Sequence, residues 1–352
     1  MVVSEVSGFL QPKLPFYLDM LRQMVNINSF TANPAGINQL GELTAGFFAT
    51  LGFTAEMIQS VNPDYGKHLV MSRPGRTPYT ISLISHLDTV FPPAEETQNN
   101  FHWREEGARI YGPGTNDIKG GTVMSYMVLD ALSQLAPDAF NDINWVILAD
   151  ASEETDAQDF GQLCIDRLAG PHTLAALIFE AGSITPHNQE VWIGVARKGM
   201  AIYAVTVEGK GAHAGAAHPL GANAIVQMAH TIQKIASFTD YGRHLTFNVG
   251  TITGGTVVNR IPHLATALVE MRTFSPDIFK DGVATMMTLP DHVVVKSHQH
   301  GYPCQVSVEI VRQTQPWPRN PATDRLFAVW EAAGRELAEA SPFRKDFEAE
   351  VE

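Results

Sequence analysis

The chain predicts a two-part α/β protein: a three-layer α/β/α unit into which a ferredoxin-like βαββαβ unit is inserted. Two observations predict this. In the first half, apolar strand-like runs at 68–71, 80–85, 145–149 and 175–179 alternate with helix-patterned segments, the pattern of a largely parallel sheet covered on both faces. From about residue 195 the order becomes strand 201–208, helix 222–237, strands 244–252 and 265–273, helix 276–288 and strand 305–312, which is β-α-β-β-α-β.

The remaining elements follow from local pattern. Residues 14–25 place Leu14, Tyr17, Leu18, Leu21 and Val25 on one helical stripe. A second helix over 38–51 closes at Gly52. Helices at 121–135 and 159–168 separate the strands, and 324–339 is a helix returning to the first unit. The first domain is placed at 1–194 plus 313–352 and the second at 195–312. A chain of 352 residues is long enough to give each its own core.

Composition narrows the function classes. The formal net charge of −13 argues against general nucleic-acid or anionic-membrane binding. No apolar run approaches the ~20 residues needed to span a bilayer, and the first ten residues carry no signal-peptide pattern. The expectation is a cytoplasmic protein. Cys164 and Cys304 are too few and too far apart for a disulfide framework or a cysteine metal site, so both are expected as buried thiols.

Four short motifs carry the chemistry: Ser85-His86-Leu87-Asp88, the run 114–121 around Asp117, Ala151-Ser152-Glu153-Glu154, and Phe179-Glu180-Ala181-Gly182. Three follow apolar strands directly, where ligand sites of open α/β sheets lie. Together they supply one imidazole and five carboxylates, a set that is costly to gather unless a divalent metal neutralises it. Histidine and carboxylate donors suit Zn2+, and also Mn2+ or Co2+. Along an extended strand end, His86 and Asp88 point to one side, so Asp88 can orient the imidazole. Asp117 lies in a glycine-rich turn before a helix, or alternatively forms a plain turn with a salt bridge to Lys119. Glu153 and Glu154, if extended, face opposite ways, so that one binds metal while the other meets an attacking water. The set reads as a metal-dependent hydrolase.

With these motifs in place, the chain resembles the co-catalytic zinc exopeptidases and deacylases that include glutamate carboxypeptidase, acetylornithine deacetylase, succinyl-diaminopimelate desuccinylase and aminoacylase. S-H-L-D-T-V, G-P-G-T-N-D-I-K-G-G, A-S-E-E-T, G-K-G-A-H-A-G and N-R-I-P carry the resemblance over about 70–320. It implies cleavage of an amide bond next to a free carboxylate, with two zinc ions per subunit. His86 and Glu180 would hold one ion, Asp117 would bridge, and Glu154 would hold the second. Glu153 would be the general base for the metal-activated water, and Asp88 would orient His86. Glutamate at 180 is most similar to the glutamate-carboxypeptidase branch. The resemblance further implies that His213 stabilises the oxyanion and that Asn259 and Arg272 hold the substrate carboxylate, with Arg197 and Lys198 as weaker contacts. The inserted domain would serve as lid and homodimer interface.

One expected part is absent from this sequence. The family has a further metal-ligand histidine near its C-terminus, whereas the last histidine here is His300, and the charged stretch 341–352 matches no expected motif. Three readings compete: a truncated or frameshifted enzyme, a short homologue with an incomplete second metal site, or a non-catalytic relative kept for binding or assembly.

Overall fold

A computed structural model describes residues 3–107, 109–155, 158–180 and 194–340. The stretch 341–352 and the Ala181-Gly182 end of the fourth motif lie outside the described residues. The described residues fall into two compact units, 3–180 with 332–340 and 194–331.

The first unit opens with α1 (Val3–Leu10), α2 (Leu14–Val25) and α3 (Pro34–Ala49), then β1 (Thr54–Gln59), β2 (Lys67–Arg73) and β3 (Thr80–His86). A short α4 (Pro93–Gln98) and the hairpin β4 (Arg104–Glu106) and β5 (Arg109–Tyr111) precede α5 (Lys119–Leu135) and α6 (Pro137–Asp142). β6 (Asn144–Asp150), α7 (Gln158–Leu168) and β7 (Thr173–Ile178) complete it. The α2 stripe buries Tyr17, Met20, Leu21, Met24 and Val25. Full burial of such a side chain contributes about 1.5–3 kcal/mol. Tyr17, Phe48 and Phe53 extend this packing around Tyr126 of α5, with ring centroids 5.4–6.3 Å apart.

Strands run in the order β1-β2-β6-β3-β7. β3 pairs in parallel with both β6 and β7, while β2–β6 and β1–β2 are antiparallel. The sheet is thus mixed rather than largely parallel. The difference comes from β2, which runs antiparallel to β6, and from β1, an exposed edge strand whose polar T-A-E-M-I-Q sequence gave no strand signal but which folds back on β2. Helices cover both faces: one core joins Leu69, Met71, Leu83 and Ile147 to α2, α3 and α5, and the other joins Val70 and Leu148 to Phe160 of α7. Because β6, β3 and β7 are adjacent and parallel, their carboxyl ends share one edge, where His86, the Glu153-Glu154 turn and Glu180 emerge.

The second unit contains β8 (Gly199–Glu208), α8 (Ala224–Ala236), β9 (Thr246–Gly254), β10 (Leu264–Thr273), α9 (Pro276–Met286) and β11 (Gln305–Thr314), followed by the start of α10 (Pro321–Ala340). Its sheet order β11-β8-β10-β9 is antiparallel throughout and gives the expected ferredoxin-like arrangement. β8 alternates strictly, burying Ala201, Tyr203, Val205 and Val207 against both helices. Both cysteines are free thiols, Cys304 buried and Cys164 half-buried.

Candidate active site

The site is built around Asp88, which is 1% exposed. Its Oδ2 accepts a hydrogen bond from Thr31 Oγ1 at 2.7 Å, which fixes the carboxylate plane. Its two oxygens then accept the backbone N–H groups of Glu153 (3.1 Å) and Glu154 (3.2 Å). Glu153 and Glu154 therefore sit in a turn, closed by Thr155 N–H to the Ser152 carbonyl at 3.1 Å, and not in the extended chain expected from their sequence. A turn whose amides are held by a buried carboxylate aims its side chains more firmly than a strand end would.

His86 ends β3 and is buried. Its Nδ1 lies 3.1 Å from the Asp88 carbonyl oxygen and 3.3 Å from Asp88 Oδ1. This anchors the ring and leaves Nε2 facing Asp117 Oδ1 at 2.9 Å. Burial opposes charge on the imidazole, but Asp88, Glu153 and Asp117 outweigh it and lift its pKa to about 9. The field of the site therefore favours a cation, which a divalent ion supplies in place of the proton.

The loop of Asp117 depends on two glycines. Gly114 has φ +72°, and a Cβ there would press on Thr89, Lys119 and the Asp117 carbonyl. Gly121, in the first turn of α5, lets the helix backbone meet the Phe179 carbonyl in a contact that leaves no room for a side chain. That approach brings the loop beside the end of β7. Lys119 does not pair with Asp117. It turns inward, 1% exposed, and donates to the Ile27 carbonyl at 3.1 Å. Burial lowers its pKa to about 8, with Glu96 opposing.

Donor atoms of His86, Asp117 and Glu154 all lie within 4.8 Å of one another. One imidazole and two carboxylates within that span fit Zn2+ or a similar ion. Burial and the carboxylates of Asp117, Asp88 and Glu153 raise Glu154 to about 7, with His86 pulling the other way. Glu153 is raised too, by burial first and then by Glu180, Asp88 and Asp117 against the opposing pull of His86. Glu180, just past β7, is exposed and outside the three-residue group, yet near enough to act on Glu153.

The other expected residues belong to the second unit and are all exposed. His213 Nδ1 accepts N–H groups from Gly215 (3.1 Å) and Ala216 (3.0 Å), so the neutral ring carries its proton on Nε2. The Asn259 carbonyl accepts Ala214 N–H at 2.9 Å, tying the two loops together. Arg272 is engaged on its own strand, its Nε donating to Glu270 at 2.6 Å. Arg197 exchanges backbone hydrogen bonds with Trp317, and Lys198 lies over the Phe274 ring at 5.1 Å. Sequence reasoning missed Thr31, which bonds Asp88, and His68, Asp150 and Asp159, which bond one another before the Glu153-Glu154 turn. Only Asp150 had a visible signal, as the last residue of the strand leading into the Glu153-Glu154 turn.

The described residues thus form a mixed α/β sheet with an acidic metal-type site at its parallel strand ends, and a separate ferredoxin-like unit. Comparison with known proteins shows what the chain is similar to. Residues 195–295 match the peptidase dimerisation domain of the M20 family. Carboxypeptidase G2 of a Pseudomonas species is 28% identical over 272 residues, 77% of this chain and 63% of that enzyme. Acetylornithine deacetylase of Proteus mirabilis is 28% identical over 337 residues, 91% of this chain and 81% of that enzyme. The chain thus spans less than two thirds of the carboxypeptidase. Among solved structures, aminopeptidase PepT of Bacillus cereus superposes with a TM-score of 0.70 at 20% identity, covering 96% of this chain and 84% of PepT. An M20 family metallo-carboxypeptidase of Sulfolobus solfataricus superposes at 0.58 with 16% identity, over 85% of this chain and 79% of that one. The chain is thus similar to M20 family peptidases and deacetylases, through its 195–295 segment and through these relatives. No helix among the described residues is long and apolar enough to cross a membrane.

Proposed function

We propose that this chain is a metal-dependent hydrolase that cleaves an amide bond next to a free carboxylate, in the manner of a carboxypeptidase or an N-acyl-amino-acid deacylase. The observation that carries it is the convergence of His86, Asp117 and Glu154 donor atoms within 4.8 Å, with Glu153 in the same Asp88-held turn. His86, Asp117, Glu154 and Glu180 are the residues that would hold the metal, zinc by preference. When bound, such an ion polarises the scissile carbonyl and makes a water acidic.

The chain's own residues do the rest. Glu153 takes a proton from the attacking water and returns it to the leaving amine, a task suited to a carboxylate whose affinity for protons is raised. Asp88 keeps the His86 ring oriented and holds the Glu153 amide, so base and ligand share one anchor. His213, with its proton on Nε2, is a ready donor to a tetrahedral oxyanion. Arg272 and Asn259 hold the substrate carboxylate, Arg272 exchanging part of its Glu270 contact for it, with Arg197 and Lys198 contributing charge. Residues 1–194 with 313–352 form the catalytic domain, and 195–312 the lid through which two copies pair.

The test is Glu153→Ala, which should lower turnover of an N-acyl amino acid by about 10²–10⁴-fold while zinc content, read by elemental analysis, stays unchanged. Undiminished turnover at equal metal content would remove Glu153 from its role.

A further inference from the structure

A second cluster of ionisable groups holds the strand end that leads into the Glu153-Glu154 turn. His68 of β2 is 2% exposed and sits between two carboxylates. Its Nε2 is 3.0 Å from Asp159 Oδ2 at the start of α7, and its Nδ1 is 3.2 Å from Asp150 Oδ1 at the end of β6. The same Nδ1 lies 3.1 Å from the N–H of Ala151. Asp159 is itself fixed, its Oδ2 also accepting Ser60 Oγ and Val61 N–H at 2.8 Å. Asp150 Oδ1 accepts Ser152 N–H at 2.9 Å, whereas its Oδ2 is buried and has no hydrogen-bond partner among the described residues.

We propose that His68 is a positioning residue for the proposed hydrolysis, gripping Asp150 and Ala151 and so setting the turn that presents Glu153 and Glu154. The inference rests on the hydrolase reading for its catalytic consequence and on this geometry for its structure. Asp88 holds the turn by the amides of 153 and 154, and His68 holds the strand end one and two residues before it.

The grip has two forms. With a neutral ring, Nε2–H donates to Asp159 and Nδ1 accepts from Ala151 N–H. With a charged ring, Nδ1–H donates to Asp150 Oδ1 and the Ala151 amide loses Nδ1 as its acceptor. Burial opposes the charged form, but Asp150 and Asp159 outweigh it, so the ring holds its proton above the ordinary value of 6.5. The groups facing His68 are Asp150 from β6 and Asp159 and the Phe160 ring from α7, with Cys164 of α7 near enough to feel Asp150. The Cys164 thiol, pushed up to about 11 by burial and by Asp150, stays neutral through this range. The chemistry at Ala151 is therefore set by His68 and the two carboxylates.

The experiment compares the full chain with His68→Leu and His68→Asn. It measures kcat and KM on N-acyl amino acids, zinc content, and the amide resonances of residues 151–154 by NMR across pH. His68→Leu should lower kcat by about 10–100-fold, the effect of losing a supporting partner, with KM and zinc content little changed. In the wild type, the Ala151 amide should shift with a midpoint above 6.5, and in His68→Asn that shift should vanish. Equal kcat in all three proteins, or an Ala151 shift that persists in His68→Asn, would overturn the proposal. A wild type without turnover would sink the hydrolase reading, while the Ala151 amide would still decide the role of His68.

Discussion

The two sets of candidate residues differ sharply in how they are held. In the first unit, Asp88, His86, His68 and Asp150 are nearly inaccessible and bonded from several elements at once. In the second unit, His213, Asn259 and Arg272 are exposed; His213 and Arg272 bond within their own loop or strand, and Asn259 bonds to the His213 loop. Preorganisation belongs where charge develops and where a small displacement is costly. Residues that meet a varied substrate can stay accessible and exchange partners. The contrast is between buried side chains bonded from several elements and exposed ones held locally.

Breaking the buried side should have the largest effect. Asp88→Ala removes the anchor of His86 and leaves two amides and the Thr31 hydroxyl without their acceptor. It should lower turnover by about 100-fold and stability by about 3 kcal/mol, read by assay and by urea unfolding. An Asp88→Ala protein of wild-type stability would mean that the turn is held by other contacts. On the exposed side, Arg272→Ala should raise KM by about 10–100-fold, the worth of a charged hydrogen bond, with smaller changes in kcat and almost none in stability. A fall in kcat at unchanged KM would instead place Arg272 in the reaction centre.

The smallest expected effect lies at the strand end before the turn and depends on pH. Asp159, although partly buried, is lowered to about 2 by His68, Val61 and Ser60, so its contribution is present above 3.8 and lost as pH falls toward 2. His68 is raised, so its contribution is present below 6.5 and lost as pH climbs through its folded value. Asp159→Asn should therefore cost about 1–2 kcal/mol, most between pH 3.8 and 6.5. A pH-independent cost would show that the pair acts without charge.

What sequence revealed follows the same division. β3 and β6 were legible because buried strands are continuous apolar runs, β7 because its run is apolar although half-exposed, and the acidic motifs at their ends stand out against them. The α2 stripe was legible for the equivalent reason in a helix. β1 was not, because an exposed edge strand needs little apolar pattern, and the antiparallel direction of β2 against β6 left no mark in either sequence. The geometry of Glu153 and Glu154 was also hidden, since the turn is imposed by Asp88, 65 and 66 residues earlier. Thr31 meets Asp88 across 57 residues and His68 meets Asp159 across 91. Such supports carry no local signal, because ordinary residue types become special only through tertiary placement. Lys119 was visible, but its inward turn to Ile27 was not.

The most direct test of the central claim measures zinc content and N-acyl amino acid hydrolysis on one preparation, before chelation, after it, and after reloading. Turnover should disappear with the metal and return with it in the wild type, and Asp117→Ala should neither rebind zinc fully nor recover activity. Full turnover by the stripped protein, or zinc-independent hydrolysis by Asp117→Ala, would contradict that claim.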